Sequence, residues 1–205
     1  MRIGLGTGTT AEYFIRHLIT KVKEGLYIEA VATSKASEAL ARKGGIPILS
    51  INEISSLDLA IDGADEIDPE KRLIKGAGGA LTREKIIATM SKEMIVIADE
   101  SKLVPRLGKG PIPIEVIPFG VIATKREIEA RGCKGSWRKN KDGSFYSTDN
   151  HNWILDIHLP TPLEFPEKME EVLIHIPGVV ETGFFFNLAS RIVIGKKEGK
   201  TEVIS

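Results

Sequence analysis

Between residues 11 and 24, Phe14, Leu18 and Val22 recur every four positions beside Ile15 and Ile19. That spacing predicts an amphipathic helix with one buried stripe. Short apolar runs surround it, at 2–5, 27–32, 46–49, 57–61 and 94–98, and each predicts a strand. The run 57–61 is apolar except for Asp58, which suits a parallel strand covered on both faces. A short helix after Thr33-Ser34 ends at the stop signal Gly44-Gly45, and another spans about 82–91. Strands alternating with helices predict an α/β fold with a doubly wound parallel sheet.

Past Lys102 the pattern changes. Pro105, Pro111, Pro113 and Pro118 interrupt the apolar positions, which argues against further strand–helix–strand units. A helical segment over about 124–131, a turn at Lys141-Asp142-Gly143, a β-rich run over 144–159 and a helix over 166–174 follow. Strands at 183–186 and 191–194 close the chain, the second expected to rejoin the large sheet. The expected division is a larger domain of residues 1–110 and 178–205, with residues 111–177 inserted as a smaller α+β domain.

Composition narrows the function classes. The 28 basic and 28 acidic residues cancel, so no global field points to nucleic acid or a membrane surface. Cys133 is the single cysteine, which excludes an internal disulfide and a cysteine-rich metal site. No apolar run approaches the ~20 residues of a membrane span, and the N-terminus lacks a signal peptide's apolar core. The expected location is the cytoplasm.

In an open α/β sheet, ligands bind beyond the carboxyl ends of the strands. Four such ends here are polar or small: 6–10, Thr33-Ser34, 62–66 and 99–102. Gly6-x-Gly8-x-x-Ala11 formally fits the dinucleotide fingerprint, but the second strand ends in Thr33-Ser34 rather than in an acid for a ribose. A helix start lined by Thr7, Thr9 and Thr10 with permissive glycines suits one phosphate monoester instead. Lys102 is its candidate counter-charge. The plain alternative is a tight turn with Thr9 or Thr10 as N-cap.

Asp62 and Asp65 flank Gly63-Ala64 beyond a buried strand, with Lys75 nearby in sequence. Burial raises a carboxyl pKa and a lysine lowers it, so such a cluster can tune a proton donor or acceptor, although turn formation before Pro69 explains the aspartates equally well. Glu66 and Asp68 read as turn and surface residues. Gly76-Ala77-Gly78-Gly79 after Lys75 lets backbone N–H groups approach a ligand, as an oxyanion site requires. Glu84 sits at a helix start, where the dipole favours an acid.

These residues, with 112–118, Thr148-Asp149-Asn150 and Ile176 to Glu181, resemble the ribose-5-phosphate isomerase type A family in order from end to end. The resemblance implies a Rossmann-like domain with a small ferredoxin-like domain. It implies a cofactor-free, metal-free aldose–ketose isomerase acting on ribose 5-phosphate and ribulose 5-phosphate, assembled as a homodimer or homotetramer. By the same resemblance, Glu84 is the base, Asp62 assists ring opening and hydroxyl proton transfer, and Asp65 and Lys75 bind sugar hydroxyls. Lys75 and the N–H groups of Gly76, Ala77, Gly78 and Gly79 would stabilise the enediolate oxygen. Thr7, Gly8, Thr9, Thr10 and Lys102 would hold the phosphate.

The chain departs from the family pattern in three places. It opens on the first strand, where the family has a preceding helix. His151 stands where the family has glycine, which strains the turn if φ is positive. Ser190-Arg191 replace a common acid. His17, His158 and His175 show no metal-ligand spacing. Trp137, Trp153 and Phe184-Phe185-Phe186 are expected in the small domain's core or a subunit interface. Two other classes share this scaffold. A non-catalytic phospho-sugar sensor has no use for Lys75 and Glu84 together, and the short phosphate loop argues against an acyl-CoA transferase-like enzyme.

Overall fold

The computed structural model describes residues 1–160 and 162–205. In chain order the first elements are β1 (Arg2–Leu5), α1 (Thr9–Lys23), β2 (Glu29–Ala32), α2 (Lys35–Lys43) and β3 (Leu59–Asp62). Next come β4 (Glu66–Ile67), β5 (Leu73–Ile74), α3 (Leu81–Met90), β6 (Met94–Asp99), β7 (Ile112–Val116) and α4 (Val121–Ala130). The remainder is β8 (Lys134–Trp137), β9 (Trp153–His158), α5 (Pro166–Ile174), β10 (Val179–Thr182), β11 (Phe184–Phe185), β12 (Arg191–Gly195) and β13 (Thr201–Ile204). Two compact units result. Unit 1 comprises Met1–Ala64, Arg83–Lys102 and Asn187–Ser205; unit 2 comprises Asp65–Thr82 and Leu103–Phe186.

Unit 1 is built on a six-stranded sheet in the order β13-β12-β6-β3-β1-β2. Every pairing is parallel except that of β13, an antiparallel edge. This is the expected Rossmann-like, mostly parallel sheet. Ile3, Gly4 and Leu5 of β1 are all buried, as a central strand covered on both faces requires. The apolar stripe of α1 meets the sheet through Ala11, Ile15 and Leu18, with Phe14, Ile19 and Val22 flanking it half-buried. Residues 46–49 contribute one parallel bridge, Ile48 to Ala30, rather than the expected strand. As expected, β12 rejoins this sheet, beside β6.

Unit 2 contains a four-stranded antiparallel sheet, β10-β7-β9-β8, with α4 between β7 and β8 and α5 between β9 and β10. That order is the split βαβ arrangement of a ferredoxin-like domain. The centre strand β7 is buried throughout, and Ile112, Ile114 and Val116 pack with Ile128, Leu155 and Leu173. Trp137 joins this core and meets Trp153 edge to face, with ring centroids 5.9 Å apart. The expected 144–159 run forms a strand only over Trp153–His158; before it the chain makes single bridges, Lys139 to Phe145 and Ser147 to Trp153.

A second, three-stranded sheet, β11-β5-β4, also belongs to unit 2. Here the observed units differ from the expected division. Residues 65–82, 103–110 and 178–186 group with unit 2, where β5 pairs with β4 and β11, β10 pairs with β7, and Leu103 bridges to Ile67. His151 has φ +64°, so the strained turn expected from histidine at this position is present. Its N–H donates to the Thr148 carbonyl at 2.9 Å.

Candidate active site

Unit 1 gathers its candidate residues at the carboxyl ends of β1, β3 and β6. Asp62 ends β3 and is 3% exposed; its Oδ1 accepts from the N–H of Thr7 at 3.1 Å and of Gly63 at 2.7 Å. The loop after β1 reaches Asp62 this closely because Gly6 has no side chain: a Cβ there would overlap the Asp62 carboxyl group. Glu84, on the first turn of α3, is likewise 3% exposed. Its Oε2 is buried with no hydrogen bond on it, while the residue makes other interactions. Asp62 and Glu84 line one small cavity together with Gly6 and Thr33.

The start of α1 completes this group. Its N-cap is Gly8, at φ 103° and ψ 176°, and no side chain caps the helix. Thr9 and Thr10 are therefore the first helical residues rather than the caps, and the helix presents its first-turn N–H groups with their dipole. The Thr7 hydroxyl shares a 2.5 Å hydrogen bond with that of Thr33. Lys102 closes a 3-10 turn, Glu100–Lys102, just beyond β6. The hydroxyl and N–H of Ser101 hold the Asp99 carboxyl below the usual carboxylate range and pin that turn.

The other candidates lie in unit 2. Lys75 is 2% exposed; its N–H donates to the Gly183 carbonyl at 2.9 Å, and its Nζ lies 5.4 Å from the Phe185 ring centroid. Asp65 receives the Ala77 N–H on Oδ2 at 2.9 Å, and Gly79 donates to the Gly76 carbonyl at 2.9 Å to close a turn. The N–H groups of Ala77 and Gly79 are thus taken up inside the unit, and those of Gly76 and Gly78 are not drawn into these bonds.

In unit 1, two buried acids and a hydroxyl-lined helix start without a side-chain cap share the carboxyl ends of the strands, an arrangement able to bind an anion and exchange protons. The family model for ribose 5-phosphate isomerase A (phosphoriboisomerase A) covers residues 29–199. The chain belongs to this family. A ribose-5-phosphate isomerase A of Bacillus mycoides is 52% identical over 202 residues, which are 98% of this chain and 91% of that relative. A ribose 5-phosphate isomerase A structure from Methanocaldococcus jannaschii superposes with a TM-score of 0.93 at 37% identity, covering 100% of this chain and 91% of that one. A D-ribose-5-phosphate isomerase solved with phospho-erythronic acid gives 0.94 at 42% identity, covering 100% and 90%.

Within this ribose 5-phosphate isomerase A framework, several residues differ from their expected surroundings. Glu66 opens β4 and Asp68 leads into the turn after it, and neither is on the surface. Glu66 is 6% exposed and accepts from the N–H groups of Gly108, Lys109 and Gly110, while Asp68 accepts from Arg72 and from two backbone N–H groups. Thr33 was expected only as part of a polar strand end and Ser37 not at all, yet Thr33 orients Thr7, and Ser37 donates to the Gly6 carbonyl at 2.7 Å. Serine and threonine at a strand end were the visible clue. Cys133 is fully buried against Met169, and burial pushes its thiol pKa up, which suits packing rather than catalysis. Among the described residues, no three potential ligands cluster for a metal, and no helix is long and apolar enough to cross a membrane.

Proposed function

We propose that this chain interconverts D-ribose 5-phosphate and D-ribulose 5-phosphate through a cis-enediolate, with Glu84 as the base. The observation that carries this reading is that Glu84 and Asp62, each 3% exposed, line the same cavity in a chain of this family. Glu84 takes the proton from C2 of the open-chain aldose, and the electron pair moves toward the C1 oxygen. Return of a proton to C1 gives the ketose, so the reaction is redox-neutral and needs only proton transfer. Asp62, held by two backbone donors, assists ring opening and moves the hydroxyl proton. The start of α1, with Thr7, Gly8, Thr9, Thr10 and Lys102, takes the phosphate. Asp65 and Lys75 are assigned to sugar hydroxyls by the family motif, and the turn after Lys75 to the enediolate oxygen, with Gly76 and Gly78 as the donors of choice. Anchoring the phosphate turns a flexible five-carbon chain into an oriented reactant, a large share of the rate in such reactions.

Glu84→Gln keeps the shape and removes the base. It should lower kcat by roughly 10²–10⁴-fold while ribose 5-phosphate still binds. A coupled ribulose 5-phosphate assay and calorimetry measure the two quantities, and full activity in the variant would remove Glu84 as base. The chain is further proposed to work in the cytoplasm as a homodimer or homotetramer. Ile117, Phe119 and Ile122 support self-association, being 39%, 90% and 66% exposed at the junction of β7 and α4. Sedimentation as a monomer at micromolar concentration would refute it.

A further inference from the structure

The turn after Lys75 is gripped from another hairpin of the same unit. Arg138, half-buried just beyond β8, donates Nε and Nη2 to the two oxygens of Asp156 at 2.9 and 2.5 Å, a bidentate pair. Its Nη1 donates to the carbonyl oxygens of both Gly76 and Ala77, each at 2.9 Å. The guanidinium carbon lies 5.9 Å from the Tyr146 ring centroid, and the Tyr146 hydroxyl donates to the Gly78 carbonyl at 3.4 Å. On the opposite edge stand the Asp65 bond to the Ala77 N–H and the Gly79 bond that closes the turn.

These contacts orient two successive peptide planes. A trans peptide carries its C=O and N–H on opposite edges of one rigid plane. The plane joining Gly76 to Ala77 is held at both edges, by Arg138 on the carbonyl and Asp65 on the N–H. The plane joining Ala77 to Gly78 is held at its carbonyl edge, so the Gly78 N–H points away from Arg138. A cation on that carbonyl also polarises the peptide and strengthens the N–H as a donor. Gly78 itself is exposed.

We propose that Arg138 is a positioning residue for the reaction, aiming the Gly78 N–H at the oxygen that becomes negative in the enediolate. This rests on the isomerase reading above. A donor that engages charge developing only in the transition state acts on kcat and leaves substrate affinity nearly untouched. Removing such a donor costs about 10²–10³ in kcat, and loosening it costs less.

The test compares the parent with Arg138→Lys, which keeps the charge and loses the fork, and with Asp156→Asn, which keeps Arg138 and weakens its anchor. Steady-state kinetics with ribose 5-phosphate are read beside amide hydrogen exchange at Ala77 and Gly79. For Arg138→Lys, kcat should fall about 10–100-fold with KM within about threefold, and exchange at both amides should accelerate at least about tenfold. Asp156→Asn should move both readouts in the same direction by less. Unchanged exchange, a kcat within about twofold of the parent, or a rise in KM alone would overturn the proposal. A parent chain that does not isomerise overturns the isomerase reading and the role in the reaction with it. Exchange would then still report whether Arg138 holds the turn.

Discussion

Gly6 and Asp62 are 56 positions apart in the chain and share one constraint. The carboxylate accepts from the Thr7 N–H only because nothing projects from Gly6. Gly6→Ala should therefore displace Asp62, lowering kcat more than about tenfold and costing about 1–3 kcal/mol in urea unfolding. An alanine variant with the parent's kcat and unfolding midpoint would break the link between the two residues. In sequence, Gly6 was legible as the first letter of a dinucleotide-like fingerprint and as a permissive glycine of a phosphate loop, neither of which names Asp62 as its neighbour. The true reason depends on where β3 ends, which no local pattern reports. His151 is the opposite case. Its strain was conditional on a positive φ at a position where the family has glycine, and the φ of +64° meets that condition.

At the scale of elements, Glu115 joins two stretches that look unrelated in sequence. It is fully buried in the middle of β7, and its Oε1 accepts from Thr148, Asn150 and Asn152 at 2.8, 3.2 and 2.9 Å. Its Oε2 accepts from the Thr82 hydroxyl at 2.5 Å. One carboxylate thus fastens the 148–152 turn and the start of α3 to the centre strand of the ferredoxin-like sheet. Hydrogen bonds to a charged group are worth about 1.5–3 kcal/mol each, and a neutral amide turns one acceptor into a donor facing donors. Glu115→Gln should then destabilise the protein by about 2–4 kcal/mol in chemical denaturation. A loss below about 0.5 kcal/mol, the range of an ordinary surface substitution, would show that the network is dispensable. Helices and parallel strands were legible because their periods are local. The hub was not, because a glutamate flanked by isoleucine and valine resembles any strand residue facing solvent.

Over the whole molecule, alternating strands and helices predicted the parallel sheet, and the prolines after Lys102 predicted where that alternation stops. The compact units differ from the expected division where two-residue strands such as β4, β5 and β11 are too short for periodicity to register. Pairing among those strands, not composition, groups residues 65–82 and most of 178–186 with unit 2, and residues 103–110 join them.

The glycine that opens α1 has a consequence for stability. With no side-chain cap on the first turn, its N–H groups are left for the proposed phosphate monoester, and a ligand held there by the folded chain alone would link occupancy to folding. At a ligand concentration of 100 Kd the linkage is worth about 2.7 kcal/mol, which for a chain of this size raises Tm by about 5–10 °C. Differential scanning calorimetry against ribose 5-phosphate, with unphosphorylated ribose as the control, should show a Tm that climbs with the logarithm of the phosphate ester alone. Equal shifts with both sugars would move the anchor away from α1. In the cell, the proposed linkage would make the resistance of the folded chain to proteolysis a function of its own substrate pool.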